Sequence, residues 1–195
     1  AVAGIGLLLA LPAQAALVGH WTFDDGTGTT AAESLHGNDA TWAGPAGNNT
    51  WVAGLIGGAT QHNDEDDGGA DQGECFVTGP IGQLAGATNL TLSIWFNQNV
   101  AANNNANYNG LFMSRDVDPT VGQSWGIALE NNNEPRHLDI RISNQAVDGA
   151  DVISGSSGWH HAALTWDGTT GETRAYLDGN ADIAMGNTLA TTILS

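Results

Sequence analysis

Two adjacent histidines lie in the segment GWHHAALTWDGTTGETRAYLDGN, residues 158–180. Histidine serves as a metal ligand and as a general base, so this pair is a candidate for chemistry. The surrounding pattern predicts two strands joined by DGTTGE, whose Asp-Gly pair and second Gly supply turn geometry. Successive side chains of a strand point to opposite faces of the sheet. His160 and His161 therefore cannot bind one metal ion together, and the segment predicts a hairpin with at most one histidine facing a site.

A second candidate is the acidic segment NDEDDGGADQGE, residues 63–74. Aligned with an EF-hand loop, it has Asp67 at position five, Asp71 at position nine and Glu74 at position twelve. The flanking segments do not have a helical pattern, so an EF-hand is excluded. Six carboxylates in eleven residues repel one another unless a cation neutralises them. A calcium site at these three residues and a solvated acidic loop are both open interpretations.

Seven tryptophans form the third candidate group, because an aromatic ring at a surface can stack on a sugar. Trp21, Trp159 and Trp166 lie in strand-like segments beside apolar residues, which predicts core positions for them. Trp95 and Trp125 each lie in a strand whose opposite face is the more apolar. These two are the candidate ligand-binding residues, and packing in the core is the alternative for each.

The elements that position these residues are short strands, because no helical period persists along the chain. The clearest case is NLTLSIWFNQN, in which Leu90, Leu92, Ile94 and Phe96 alternate with their neighbours. Further strands are expected in LVGHWTF, ECFVTG, GLFMSR, WGIALE and HLDIRIS. Many short strands separated by polar turns predict an all-β fold, an antiparallel two-sheet jelly-roll sandwich.

The charge balance excludes two classes of partner. Four Arg, no Lys and 21 Asp plus Glu give a net charge of −17. A nucleic-acid binder needs clustered cations against the phosphates, and an anionic membrane surface needs them against its headgroups. We therefore expect no nucleic-acid partner and no insertion of the mature chain into a membrane.

The first fifteen residues predict export. The segment AVAGIGLLLALPAQA is apolar and ends in Ala13-Gln14-Ala15, the small-residue form of a signal-peptide cleavage site. We interpret residues 1–15 as a signal peptide whose basic n-region is missing, and residues 16–195 as the mature domain. The product is then secreted or at the cell surface, where Cys75 is expected to be a buried thiol or to pair with a missing segment.

Four segments together resemble one family. GWHHAALTWDGTTGETRAYLDG resembles the W-H-H-V-A-x-T-Y-D-G…Y-x-D-G pattern of laminin-G-like domains in the concanavalin A-like lectin/glucanase superfamily. LVGHWTFDDGTGTTAAESLHGNDATW is similar to the family's opening strand, acidic turn and D-S-S-G-N-G loop. WVAGLIGGATQ and NLTLSIWFNQN are similar to its W-x-x-G-x-x-G-x-A-L and F-T-V-S-x-W segments. The resemblance covers about residues 17–180 and implies a two-sheet jelly roll that is truncated before the closing C-terminal strands.

The resemblance also implies a calcium site and a test for catalysis. In laminin-G-like relatives a calcium ion often lies where the acidic turn meets the D-S-S-G-N-G loop, which points here to Asp24 or Asp25 with Asn38 nearby. Glucanases of the superfamily carry Glu-x-Asp-x-x-Glu on a strand, with two carboxylates on one face. The nearest match, residues 65–70, ends in Ala and lies in a Gly-rich loop, so no catalytic residues are assigned.

The sequence therefore favours a non-catalytic extracellular recognition or adhesion module, part of a larger multidomain protein, that binds glycan or protein ligands and is calcium-dependent if either acidic site is real. An extracellular glycan hydrolase and a structural spacer domain are the alternatives. Binding and hydrolysis assays on polysaccharides discriminate the first two.

Overall fold

The computed structural model describes residues 16–62, 75–97, 108–114, 125–130, 137–142, 145–149, 153 and 158–185. The predicted signal peptide and the acidic segment 63–74 lie outside these ranges. The strands are β1 Thr30–Ala31, β2 Ala40–Trp42, β3 Asn49–Ala53, β4 Gly58–His62, β5 Phe76–Val77, β6 Asn89–Asn97, β7 Tyr108–Ser114, β8 Trp125–Glu130, β9 His137–Ile142, β10 Gln145–Asp148, β11 Trp159–Asp167, β12 Glu172–Leu177 and β13 Asn180–Met185. A short 3-10 helix spans Gly82–Leu84.

Two four-stranded antiparallel sheets form the body of the domain. Their strand orders are β10-β9-β8-β7 and β13-β12-β11-β6. A three-stranded sheet, β1-β2-β5, and the hairpin β3-β4 complete the described part. The main core joins both four-stranded sheets, because Ile127 and Ile140 of the first pack in the same buried cluster as Leu164 and Leu177 of the second. The predicted all-β sandwich is confirmed.

Alternation along β6 and β11 sets which side chains reach the surface. In β11 the side chains of Ala162, Leu164 and Trp166 are buried, and the residues between them are less so. In β6 Phe96 is buried while Trp95 is 48% exposed. The predicted period-two faces are confirmed, and the two adjacent histidines of β11 lie on opposite faces as expected.

The expected strand over LVGHWTF is wrong. Within residues 17–23 the described pairing is one isolated bridge, between Trp21 and Glu33. Phe23 has a φ of 57°, which an extended strand does not allow, and Leu17 is 64% exposed. Trp21 is half-buried, and its Nε1 donates to the carbonyl of Asn38 at 3.0 Å. Its ring thus braces the loop that follows β1.

Cys75 is exposed, which corrects the expectation of a buried thiol. It lies directly before the two-residue strand β5, where Phe76 packs against Trp42 with ring centroids 5.5 Å apart. Alternation then places the neighbours Cys75 and Val77 on the outer side, and Val77 is 50% exposed.

Candidate functional site

An aromatic side chain is exposed on the outer face of the sheet that contains β6 and β11. The register places Trp95 of β6 opposite His161 of β11, with ring centroids 4.9 Å apart. The contact holds the indole against the sheet, and 48% of the residue remains accessible. A ring held on one side and open on the other can accept a flat apolar partner without first being ordered.

Polar groups lie next to this ring. The Oγ of Ser93 and the Nε2 of His161 are 2.8 Å apart, so they share a hydrogen bond. In the next row of the sheet the register aligns Ser93, Ala163 and Tyr176 on three adjacent strands. Because the side chain of Ala163 is only a methyl group, it projects less from the sheet than the side chains of Ser93 and Tyr176 on either side of it. We call Trp95, His161, Ser93, Ala163 and Tyr176 the outer face.

Asp178, in the turn between β12 and β13, fixes the histidine pair from the end of the sheet. Its Oδ2 lies 2.7 Å from Nδ1 of His160, and its Oδ1 accepts from the backbone N–H of His161 at 2.9 Å. Partial burial raises the pKa of Asp178, but these two hydrogen bonds outweigh it and the pKa is lowered. The carboxylate therefore stays ionised and ties the β12–β13 turn to β11.

Serine, histidine and aspartate thus lie close together, but not in the order of a hydrolytic triad. In a triad the carboxylate holds the ring of the histidine that contacts the serine. Here Asp178 contacts the ring of His160, whereas Ser93 contacts His161, whose ring lies on the opposite face of β11. The geometry supplies a polar surface, and Asp178 does not orient the His161 imidazole for proton transfer.

Trp125, the other candidate ligand-binding residue, belongs to the core. It is 5% exposed and its ring packs on Phe112, with centroids 5.9 Å apart. Its ring offers no face to a ligand, so the core interpretation holds for it. Trp166 is also buried, as expected, while Trp159 is half-buried at the start of β11.

The three residues of the calcium site implied by the family resemblance make separate contacts. Asp24 accepts from the backbone N–H of Gly58 at 2.5 Å, and Asp25 accepts from that of Ala32 at 3.3 Å. The side chain of Asn38 donates to Gln83 at 3.4 Å. Within the described ranges, no group of three or more His, Cys, Asp or Glu is arranged to hold a metal. The other predicted calcium ligands, Asp67, Asp71 and Glu74 of the acidic segment, lie outside those ranges.

A family model of the concanavalin A-like lectin/glucanases superfamily matches residues 67–192, which include both four-stranded sheets. The chain belongs to this superfamily. No curated protein and no solved structure matches the chain. The superfamily contains both enzymes and non-enzymes, and its laminin-G-like domains commonly bind extracellular ligands. Among the residues described, no helix is long and apolar enough to span a bilayer.

Glu33 is a buried carboxylate whose role the sequence pattern does not indicate. Its carboxylate accepts from the backbone N–H groups of His20 and Leu35, each at 2.9 Å, and of His36 at 2.5 Å. Burial by itself would raise the pKa of Glu33. The hydrogen bonds more than offset this effect, and the pKa is lowered from an ordinary 4.5 to about 2. The ESLHGND loop is therefore organised around one ionised side chain. Its only sequence signal is that it opens this loop.

Proposed function

We propose that this domain is a non-catalytic recognition module that binds glycan chains on its outer face through Trp95. The observation that carries the proposal is the exposed indole, held against the ring of His161 at 4.9 Å on a regular sheet. Membership in a superfamily of lectin-like and hydrolase-like modules supports it. The extracellular setting typical of laminin-G-like domains supports a secreted or cell-surface location.

The chemistry of the outer face suits a sugar. A pyranose ring presents an apolar face of C–H groups and an edge of hydroxyls, so it needs an aromatic platform with hydrogen-bonding groups beside it. Trp95 is the platform, and Ser93, His161 and Tyr176 supply hydroxyl and imidazole groups at its side. A rigid sheet presents these groups with little ordering cost on binding.

Replacing Trp95 with alanine is expected to weaken polysaccharide binding at least about tenfold, or about 1.4 kcal/mol, because the stacking contact and its apolar area are lost. The melting temperature should change little, since the side chain is not part of the core. Affinity electrophoresis and calorimetry against a panel of polysaccharides measure the first effect, and thermal unfolding measures the second.

Two control variants and one activity assay sharpen this experiment. Trp95→Phe keeps an aromatic ring and should retain part of the affinity. Val77→Ala removes an equally exposed apolar side chain from a different sheet and should leave binding unchanged. Release of reducing ends from a bound polysaccharide would instead favour the hydrolase alternative, and unchanged binding by Trp95→Ala would remove the outer face from the proposal.

Calcium dependence is proposed separately from glycan recognition. If calcium binds only the folded chain, stability should rise by about 2.7 kcal/mol at a hundredfold excess over the dissociation constant. Thermal melts with chelator, calcium or magnesium at fixed ionic strength measure this. An equal effect of magnesium would indicate screening instead of a site, and no shift with calcium would end the proposal.

A larger loss of the shift in Asp24→Ala or Asp25→Ala than in Glu74→Ala assigns the ion to the acidic turn; the reverse order assigns it to residues 63–74.

A further inference from the structure

Carboxylates lie at both ends of the strands that form the outer face. At one end Asp178, whose side chain is 45% exposed, contacts the backbone of His161. At the other end the register pairs Asp167 of β11 with Glu172 of β12. Their row lies next to the row of Thr165 and Arg174. A ligand that extends along β11 from Trp95 therefore approaches Asp167 and Glu172, while Asp178 lies at the strand end next to His161.

The one described cation of this face is already paired. The Nε of Arg174 donates to Oε1 of Glu172 at 2.6 Å, and its Nη2 contacts the same oxygen. The other described arginine, Arg141, lies in the opposite sheet, where it bonds Asp139 at 2.9 Å. With three carboxylates against one guanidinium locally, and a net charge of −17 overall, the potential over the face is negative.

A polyanionic chain would bind less favourably to this face than an uncharged one. Sulfate and carboxylate groups are recognised by guanidinium groups through paired hydrogen bonds, so they would have to displace Glu172 from Arg174. They would also approach the carboxylate of Asp167 and, at the strand end, that of Asp178, and like charges repel most strongly at low ionic strength. An uncharged chain meets neither penalty, because stacking on Trp95 and hydrogen bonds to hydroxyl groups do not depend on net charge.

We propose that the outer face selects uncharged polysaccharides and rejects polyanionic ones. The inference rests on the proposed glycan-binding function and adds the class of ligand to it. It assigns a functional role to the acidic border that is independent of any metal: the carboxylates of Asp167, Glu172 and Asp178 act as a filter against charged chains.

The test compares neutral with polyanionic probes on the full chain. Laminarin, galactomannan and dextran are the neutral probes, and alginate and heparin are the polyanionic ones, each measured by calorimetry at low and at physiological ionic strength. At least one neutral probe should bind about tenfold more tightly than either polyanion at low salt, and the difference should narrow as salt screens the charges. Trp95→Ala should weaken binding of the neutral probe.

A local substitution separates the border from the net charge. Glu172→Gln removes one negative charge and releases Arg174 from its ion pair. The ratio of the affinities for neutral and anionic probes should therefore fall by several-fold at low salt. Asp39→Asn changes the net charge by the same amount in the loop between β1 and β2, and its amide oxygen can still accept from the backbone N–H of Glu33. It should leave the difference in affinity between the two kinds of probe unchanged.

The outcomes distinguish the two proposals. Binding of alginate or heparin as tight as that of every neutral probe, with Trp95 still required, overturns the selectivity and leaves the recognition function standing. An equal effect of Glu172→Gln and Asp39→Asn also overturns the assignment to this border. Absence of binding to all five probes, neutral and anionic, overturns both.

Discussion

Replacing Gly126 with alanine is expected to lower the free energy of unfolding by about 2–6 kcal/mol, a large fraction of the stability of a domain. Gly126 lies in β8 with a φ of +147°, a conformation that L side chains rarely adopt. A Cβ there would overlap the carbonyl oxygen of Phe112 and lie 2.9 Å from the Cα of Met113. Both are backbone atoms of β7, so they cannot move aside without separating β7 from β8.

Gly79→Ala is the matched control, because nothing lies within 4 Å of the position a Cβ would take there. Chemical denaturation of both variants measures the free energy of unfolding, and a change within about 0.5 kcal/mol is expected for the control. An equally small change for Gly126→Ala would contradict the close approach of β7 and β8.

Local alternation was enough to predict six of the eight strands in the two four-stranded sheets, and it missed β10 and β13. The spacing of Leu92, Ile94 and Phe96 in β6, and of Leu164 and Trp166 in β11, assigns inner and outer faces without any knowledge of partners. Where backbone conformation departs from a strand, alternation fails. Phe23, with its positive φ, ends the expected first strand, and nothing in the types of residues 17–23 indicates it.

The candidate site was predictable only in part, because burial depends on what covers each face of a sheet. Trp95 and Trp125 had the same sequence signal, an aromatic residue opposite a more apolar face. In β6 the buried side chain is Phe96, and Trp95 on the opposite face is 48% exposed. In β8 Trp125 through Leu129 are all buried, so both faces of this strand are covered. What covers each face of a strand is set by the packing of distant segments, which the local pattern does not contain.

Glu33 illustrates the same limit for polar residues. Three of its N–H donors come from both sides in sequence: His20 lies thirteen residues earlier, while Leu35 and His36 follow within three. The pattern of an acidic residue opening a loop predicts a surface turn. Only the folded path of residues 20–36 turns that surface acid into the buried anchor of the loop.

Lowering the pH from 4.5 to about 2 is expected to remove the stabilisation that Glu33 provides. Its pKa in the folded protein is about 2, against an ordinary value of 4.5. A carboxyl group with a lowered folded pKa stabilises the native state above its unfolded pKa, and the contribution disappears as the pH falls through the folded value. Glu33→Gln should therefore lower the melting temperature near neutral pH, because an amide cannot accept from three N–H groups as a carboxylate does.

The test measures the difference in melting temperature between the wild type and Glu33→Gln as a function of pH. Other carboxylates also titrate in acid, so the wild type and Glu33→Gln are compared at each pH from 7 to about 2. Their difference in melting temperature should be largest above pH 4.5 and should shrink steadily below it. Glu172→Gln, which removes an exposed carboxylate, should give a smaller difference near neutral pH. A Glu33→Gln offset that stays constant from pH 7 to about 2 would show that the loop is held by packing alone, without the ionised side chain at its centre.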